Sequence, residues 1–211
     1  EAKNAEVVFG HMDREAFLEA KDLKWIQYQG AGVEWVEKIP ELIESDVVVT
    51  NTRGAHGATI AEHTIGMLIS LARGFPSLHR AQMNHVWVRP LERPAVGLSG
   101  LTMGIVGLGK IGQAIAVRAK AFEMKVIAVD VVNMPKPDCV EEIGTLDSLG
   151  SLLGRSDVVV ITAPLTNETR GMIGARELAL MKNSAFIILV SRGGIIDEDA
   201  LMKALKEGRL A

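Results

Sequence analysis

Cysteine is all but missing from this chain: Cys139 is the only one in 211 residues. A single thiol excludes an internal disulfide and any multi-cysteine metal site, and it fits a reducing compartment. No metal is therefore expected. Long apolar runs are missing as well, since none approaches the roughly 20 residues that span a bilayer. The opening Glu1-Ala2-Lys3-Asn4 lacks the charged-then-apolar start of a signal peptide. A cytoplasmic protein with no membrane partner is the expectation. Positive charge is not in excess: 23 Lys and Arg stand against 26 Asp and Glu, a net charge of -3. That balance leaves no electrostatic footprint for nucleic acid. Internal repeats and low-complexity tracts are also lacking.

What is present is a globular composition, 48% hydrophobic and 23% charged, sufficient for one large or two small domains. Short β-branched runs alternate with longer helical patterns, which points to parallel α/β architecture. Strands are expected at 6–10, 24–28 and 46–50, with helices at 13–21 and 40–44. The stretch "ATIAEHTIGMLISLAR" from Ala58 to Arg73 is apolar on almost every face and predicts a helix buried on several sides. Gly74-Phe75-Pro76 should stop it, and the stretch to Gly100, with Pro90 and Pro94, reads as a connector.

The sharpest signal begins at Leu101. A short apolar strand, Met103 to Val106, runs into Gly107-Leu108-Gly109-Lys110-Ile111-Gly112, then a helix, then a second strand ending at Asp130. Gly107 permits a tight turn, Gly109 lets backbone approach a pyrophosphate without a Cβ, and Gly112 allows close helix-to-strand packing. The unpaired N–H groups and dipole of the helix N-terminus favour that anion. An acid about 20 residues beyond the first glycine can accept hydrogen bonds from the adenosine ribose. Asp130 would also repel a 2'-phosphate, which favours NAD over NADP; the alternative is a solvated strand-end acid. Further on, "TLDSLGSLLGRS" predicts a helix with Thr145 as its N-cap, and "DVVVIT" a buried strand. The following turn, with Thr162, Ala163, Pro164 and Thr169, lies where ligands of open parallel sheets bind, or is an ordinary loop. "ARELALMKN" predicts a helix closed by Asn183, and "SAFIILV" a strand that brings Ser191-Arg192-Gly193-Gly194 to the same edge. Arg192 there suits a bidentate grip on a carboxylate; a surface ion pair is the alternative. Asp197 should cap a last helix with Leu201, Ala204 and Leu205 on one face.

Five segments together, "LKWIQYQGAGVE", "NTRGAHGATIAEHTIGMLISLARG", "LTMGIVGLGKIG", "APLTNETRGMIG" and "VSRGGIIDEDALMKAL", resemble the D-2-hydroxyacid dehydrogenase family, D-isomer-specific and NAD-dependent. The resemblance implies a doubly wound parallel sheet, a Rossmann NAD-binding domain over 58–211 that includes the junction helix 58–73. It also implies part of a smaller flavodoxin-like substrate domain over 1–57. It carries pyrophosphate contacts to Gly109, Lys110 and Ile111, and the ribose acid to Asp130. The nicotinamide side falls on Thr162, Ala163, Pro164, Val190 and Ser191. It places the substrate carboxylate on the backbone of Gly30-Ala31-Gly32-Val33, with Ala31 and Gly32 as donors across a cleft from Arg192, the family's catalytic arginine. A homodimer joined through the junction helix and a small 2-oxo or 2-hydroxy acid substrate are implied in the same way.

The family's proton-donating histidine and its glutamate lie downstream of the arginine motif, so both are expected beyond Ala211. His11, His56, His63, His79 and His85 are read as structural or surface residues. The 211 residues alone are accordingly expected to be a fragment, inactive by itself. An alternative for the same fold is a non-catalytic NAD sensor resembling transcriptional corepressors.

Overall fold

The structure, a computed structural model, describes residues 3–89 and 94–211. Contacts divide the chain into two compact units, one ending at His56 and one beginning at Gly57. Among the described residues no helix is long and apolar enough to cross a membrane.

The first unit contains three parallel strands, β1 (Val7–Phe9), β2 (Trp25–Gln27) and β3 (Val48–Thr50), in spatial order β1-β2-β3. Helix α1 (Arg14–Glu19) starts where the Asp13 carboxylate accepts the Ala16 N–H at 2.8 Å, and α2 (Pro40–Ile43) starts on a proline whose missing N–H is not needed in a first turn. Met12, Leu23, Ile26, Trp35, Ile39 and Leu42 form its core.

The second unit opens with α3 (Gly57–Ala72) and α4 (Phe75–Met83), then builds five parallel strands: β4 (Thr102–Val106), β5 (Lys125–Val129), β6 (Glu142–Gly144), β7 (Val158–Ile161) and β8 (Phe186–Leu189). Their spatial order is β6-β5-β4-β7-β8, so the winding reverses beside β4. Helices α5 (Lys110–Ala121), α6 (Leu149–Arg155), α7 (Ala175–Leu180) and α8 (Glu198–Lys206) cover the sheet. Strand side chains alternate between two cores. Met103, Ile105, Val126, Val158 and Val160 join Leu68 of α3 and Ile115 and Ala116 of α5 on one face. Val106, Ile127, Val129, Val159 and Ile161 join Leu152, Leu178 and Ala204 of the other helices on the second. Burial on both faces is why these strands read as continuous apolar runs instead of alternating ones.

Several local expectations are corrected. The stretch after Gly74 is not all connector, because Gly74, at φ 67°, ends one helix and begins α4, with Pro76 in the first turn where proline is tolerated; Pro90 lies outside the described residues. Thr145 makes no capping bond, and Leu146–Ser148 form a 3-10 turn ahead of α6. Strand β6 was not anticipated; it is a three-residue edge strand. Helix α7 stops at Leu180, where Met181 turns extended, short of Asn183. Along α8, Ala204 is buried but Leu205 is exposed.

At the amino edge of the sheet, Asp157 accepts the Thr102 N–H at 2.9 Å and the Lys182 ammonium at 2.7 Å. Burial pulls the Asp157 carboxyl upward, but the Lys182 hydrogen bond, the Thr102 N–H and the lysine charge together hold it below its ordinary 3.8. A depressed folded value means that the pair stabilises the fold above pH 3.8 and loses that contribution as the pH falls through the folded value. Asp157→Asn should therefore lower the unfolding free energy by about 1–2 kcal/mol near neutral pH. In urea titrations the gap between parent and variant should close in acid below 3.8, and a gap that widens there would contradict the assignment.

Candidate functional site

Register decides what meets at the carboxyl edge of the larger sheet. Val106 pairs with Val129 and with Ile161, and Ile161 pairs with Leu189. Four strands therefore end level, and the residues that follow them, Gly107, Asp130, Thr162 and Val190, share one edge. Backbone bonds continue the ladder one step beyond: Gly107 N–H to Val129 at 2.9 Å, Thr162 N–H to Val106 at 2.9 Å and Val190 N–H to Ile161 at 3.2 Å.

The turn leaving β4 is built on its glycines. Gly107 has φ 93°, a region open to glycine, and a Cβ there would lie 2.7 Å from the Ala163 nitrogen. A Cβ at Gly112 would lie 2.3 Å from the Gly107 carbonyl oxygen, so α5 packs against the turn with no room for a side chain. Gly109 is different: its Cβ would meet nothing within 4 Å. It is exposed, stands at the N-cap of α5 without a side-chain capping bond, and is followed by exposed Lys110 and half-buried Ile111. A twelve-residue helix thus starts without a side-chain cap beside open space at Gly109, the arrangement that can bind phosphate.

Asp130 is no freely solvated acid. One carboxylate oxygen accepts the Leu108 N–H at 2.5 Å and the other the Val132 N–H at 2.8 Å. Each oxygen keeps a lone pair for a further donor, so the group still fits a ribose hydroxyl. The Thr162 hydroxyl donates to the Gly107 carbonyl, which ties the end of β7 to the glycine turn. Ala163 is buried and Pro164 exposed. Thr169 is also buried, and its hydroxyl donates to the Pro164 carbonyl at 2.7 Å while accepting the Thr166 N–H at 2.7 Å. It therefore holds the shape of the loop after β7.

That loop and the loop after β8 are fastened together. Gly171 N–H donates to Gly194 at 2.8 Å and Ile173 N–H to Ile195 at 3.1 Å. Val190 and Ser191 are half-buried, and the Ser191 hydroxyl oxygen is buried without a hydrogen-bond partner among the described residues. Arg192 is exposed, with its guanidinium donating to the Ser191 carbonyl at 3.0 Å. An open helix N-terminus, a carboxylate with spare lone pairs and an unsatisfied buried hydroxyl on one edge fit a dinucleotide.

In the first unit the 30–33 loop has its own organisation. Its carbonyls are taken from one side: Gln29 by the Thr52 hydroxyl at 2.6 Å, Gly30 by the Thr52 N–H at 3.2 Å and Ala31 by the Asn51 amide at 2.9 Å. In a trans peptide the N–H points opposite to the carbonyl, so the Ala31 and Gly32 N–H groups are turned to the other side. Asn51 and Thr52 were not singled out from the sequence, because their contribution is a tertiary contact about 20 residues away in the chain. Gln113 was missed too; its amide donates to the Leu108 carbonyl at 3.0 Å.

Residues 65–211 match the family model described as "D-isomer specific 2-hydroxyacid dehydrogenase, NAD binding domain". Over 199 residues the chain is 37% identical to D-3-phosphoglycerate dehydrogenase of Methanocaldococcus jannaschii, covering 93% of this chain and 37% of that protein. It is 38% identical over 212 positions to glyoxylate reductase of Thermococcus litoralis, covering 97% of this chain and 63% of that protein. A crystal structure of D-lactate dehydrogenase from Aquifex aeolicus with NAD and lactic acid superposes with a TM-score of 0.83 at 30% identity, covering 99% of this chain and 63% of that one. The chain thus spans between about a third and just under two thirds of the curated relatives it matches.

The two glycines flanking the helix start should respond differently to a methyl group. Gly112→Ala should destabilise by about 1–3 kcal/mol through overpacking, whereas Gly109→Ala should stay within about 0.5 kcal/mol of the parent. Equal urea midpoints for the two variants would contradict this geometry.

Proposed function

The chain belongs to the D-isomer-specific 2-hydroxyacid dehydrogenase family, and from that premise we propose that it is the NAD-binding part, with a portion of the substrate-binding part, of an oxidoreductase acting on a small D-2-hydroxy acid or 2-oxo acid. The observation that carries this reading is the level ending of β4, β5, β7 and β8, which sets the glycine turn, Asp130, Thr162 and the Val190-Ser191-Arg192 segment on one sheet edge.

We assign the N–H groups of Gly109, Lys110 and Ile111 to the pyrophosphate, with Gly107 and Gly112 giving the turn its shape. Asp130 receives the adenosine ribose and excludes a 2'-phosphate by like charge. Thr162, Ala163, Pro164, Val190 and Ser191 border the nicotinamide, and Thr169 fixes the loop that carries three of them. When bound, NAD supplies hydride transfer between its nicotinamide C4 and substrate C2. Arg192 grips the substrate carboxylate and, through its positive charge, stabilises the negative charge that develops on the carbonyl oxygen as it becomes a hydroxyl. In the first unit, the outward N–H groups of Ala31 and Gly32 are assigned to a carboxylate. The accompanying proton is assigned to a histidine paired with a glutamate, as the family resemblance implies.

A homodimer through α3 belongs to the same reading. Its support is apolar exposure at Leu71 of α3, at Phe75, Leu78 and Met83 of α4, and at Trp87 beyond α4.

Calorimetry should find NAD bound at least about tenfold more tightly than NADP; the reverse order would refute the role given to Asp130. In a catalytically active form of the protein, Arg192→Leu should lower kcat/KM by roughly 10²–10³ or more while leaving NAD affinity within about twofold. Unchanged turnover would remove Arg192 from the mechanism.

A further inference from the structure

The peptide groups of the glycine turn are held by side chains from three different elements. Thr162, just past β7, donates its hydroxyl to the Gly107 carbonyl. Because carbonyl and N–H point in opposite directions across a trans peptide, this aims the Leu108 N–H the other way, where Asp130 accepts it at 2.5 Å. One peptide later the pattern repeats with a side chain that none of the site assignments includes. Gln113, on the first turn of α5, donates its amide to the Leu108 carbonyl at 3.0 Å, and the Gly109 N–H, across the same peptide, is thereby turned to the side opposite Gln113. Leu108 itself is fully buried, so its peptide cannot swing without unpacking the side chain. The acceptor is a carbonyl, so the bond requires the NH₂ end of the Gln113 amide to face it.

We propose that Gln113 is a positioning residue for the dinucleotide: by holding the Leu108 carbonyl it fixes the direction of the Gly109 N–H, so that this donor is already aimed when the pyrophosphate arrives. The inference rests on the assignment of the glycine turn to NAD. Without the Gln113 amide only the packing of Leu108 restrains the Leu108–Gly109 peptide, and an N–H held less firmly before binding contributes less affinity. The effect belongs to ligands that carry a pyrophosphate and not to the adenosine moiety, which meets the protein at the end of β5.

The test is Gln113→Met, which keeps side-chain length and helix propensity, removes the donor and adds no charge. Binding of NAD, ADP and adenosine to the 211-residue chain is measured by calorimetry, alongside thermal unfolding. The Kd for NAD and for ADP should rise about two- to tenfold, the equivalent of one hydrogen bond. The Kd for adenosine should remain unchanged, and the Tm should fall by no more than the few degrees that one intramolecular hydrogen bond is worth. NAD and ADP bound as tightly by the variant as by the parent would overturn the inference alone. Equal weakening of all three ligands would also overturn it, since that is the signature of a general structural defect. Failure of the unsubstituted chain to bind NAD would overturn the assignment of the turn, and the inference with it.

Discussion

The approach of α5 to the turn that leaves β4 is the constraint on which the rest of the larger unit depends. With the Gly107 carbonyl oxygen 2.3 Å from where a Gly112 Cβ would sit, the helix axis lies as near the strand end as backbone permits. That nearness places Ile115, Ala116 and Ala119 in the core beneath the sheet, against Ala61, Leu68 and Ala72 of α3. It also sets the helix N-terminus directly at the edge where β5, β7 and β8 end. Core packing and site geometry are thus two results of one close contact, and a bulkier residue at this point would disturb both.

The glycine turn, the helix start and the acid at the carboxyl edge were legible because the geometry that places them is short-range. A turn at positive φ, a helix N-terminus and an acid at the next strand end all leave marks within one βαβ unit, and Gly107, Gly112 and Asp130 stand where those marks put them. The strands were legible because burial on both faces writes unbroken Val and Ile runs. What stayed hidden depends on contacts distant in sequence or on elements too short to carry a period. Strand β6 has three residues, and α4 was masked by a glycine and a proline that usually end a helix but here begin one. Thr145 illustrates the limit of capping rules: the residue type is right, yet a 3-10 turn intervenes before α6.

The same distinction applies to single side chains. Asp130 could be read as an acid facing the ribose, but its two bonds to the Leu108 and Val132 N–H groups require knowing that β5 ends level with β4. In the first unit a glycine-rich loop announces close backbone approach, while the direction of its N–H groups follows from Asn51 and Thr52, which reach it from the end of β3. Position along the chain identifies which backbone is available, and tertiary hydrogen bonds decide where it points.

The Asp157–Lys182 pair, with the Thr102 N–H it also captures, sits at the opposite edge of the sheet from the glycine turn. The two ends of the same parallel strands are therefore held by different means, an ion pair at the amino end and backbone bonds to Thr162, Asp130 and Gln113 at the carboxyl end. The amino end keeps the strands anchored through a contact in which none of the carboxyl-edge loops takes part. A change in the loops at one edge of the sheet therefore leaves the anchor at the other edge in place.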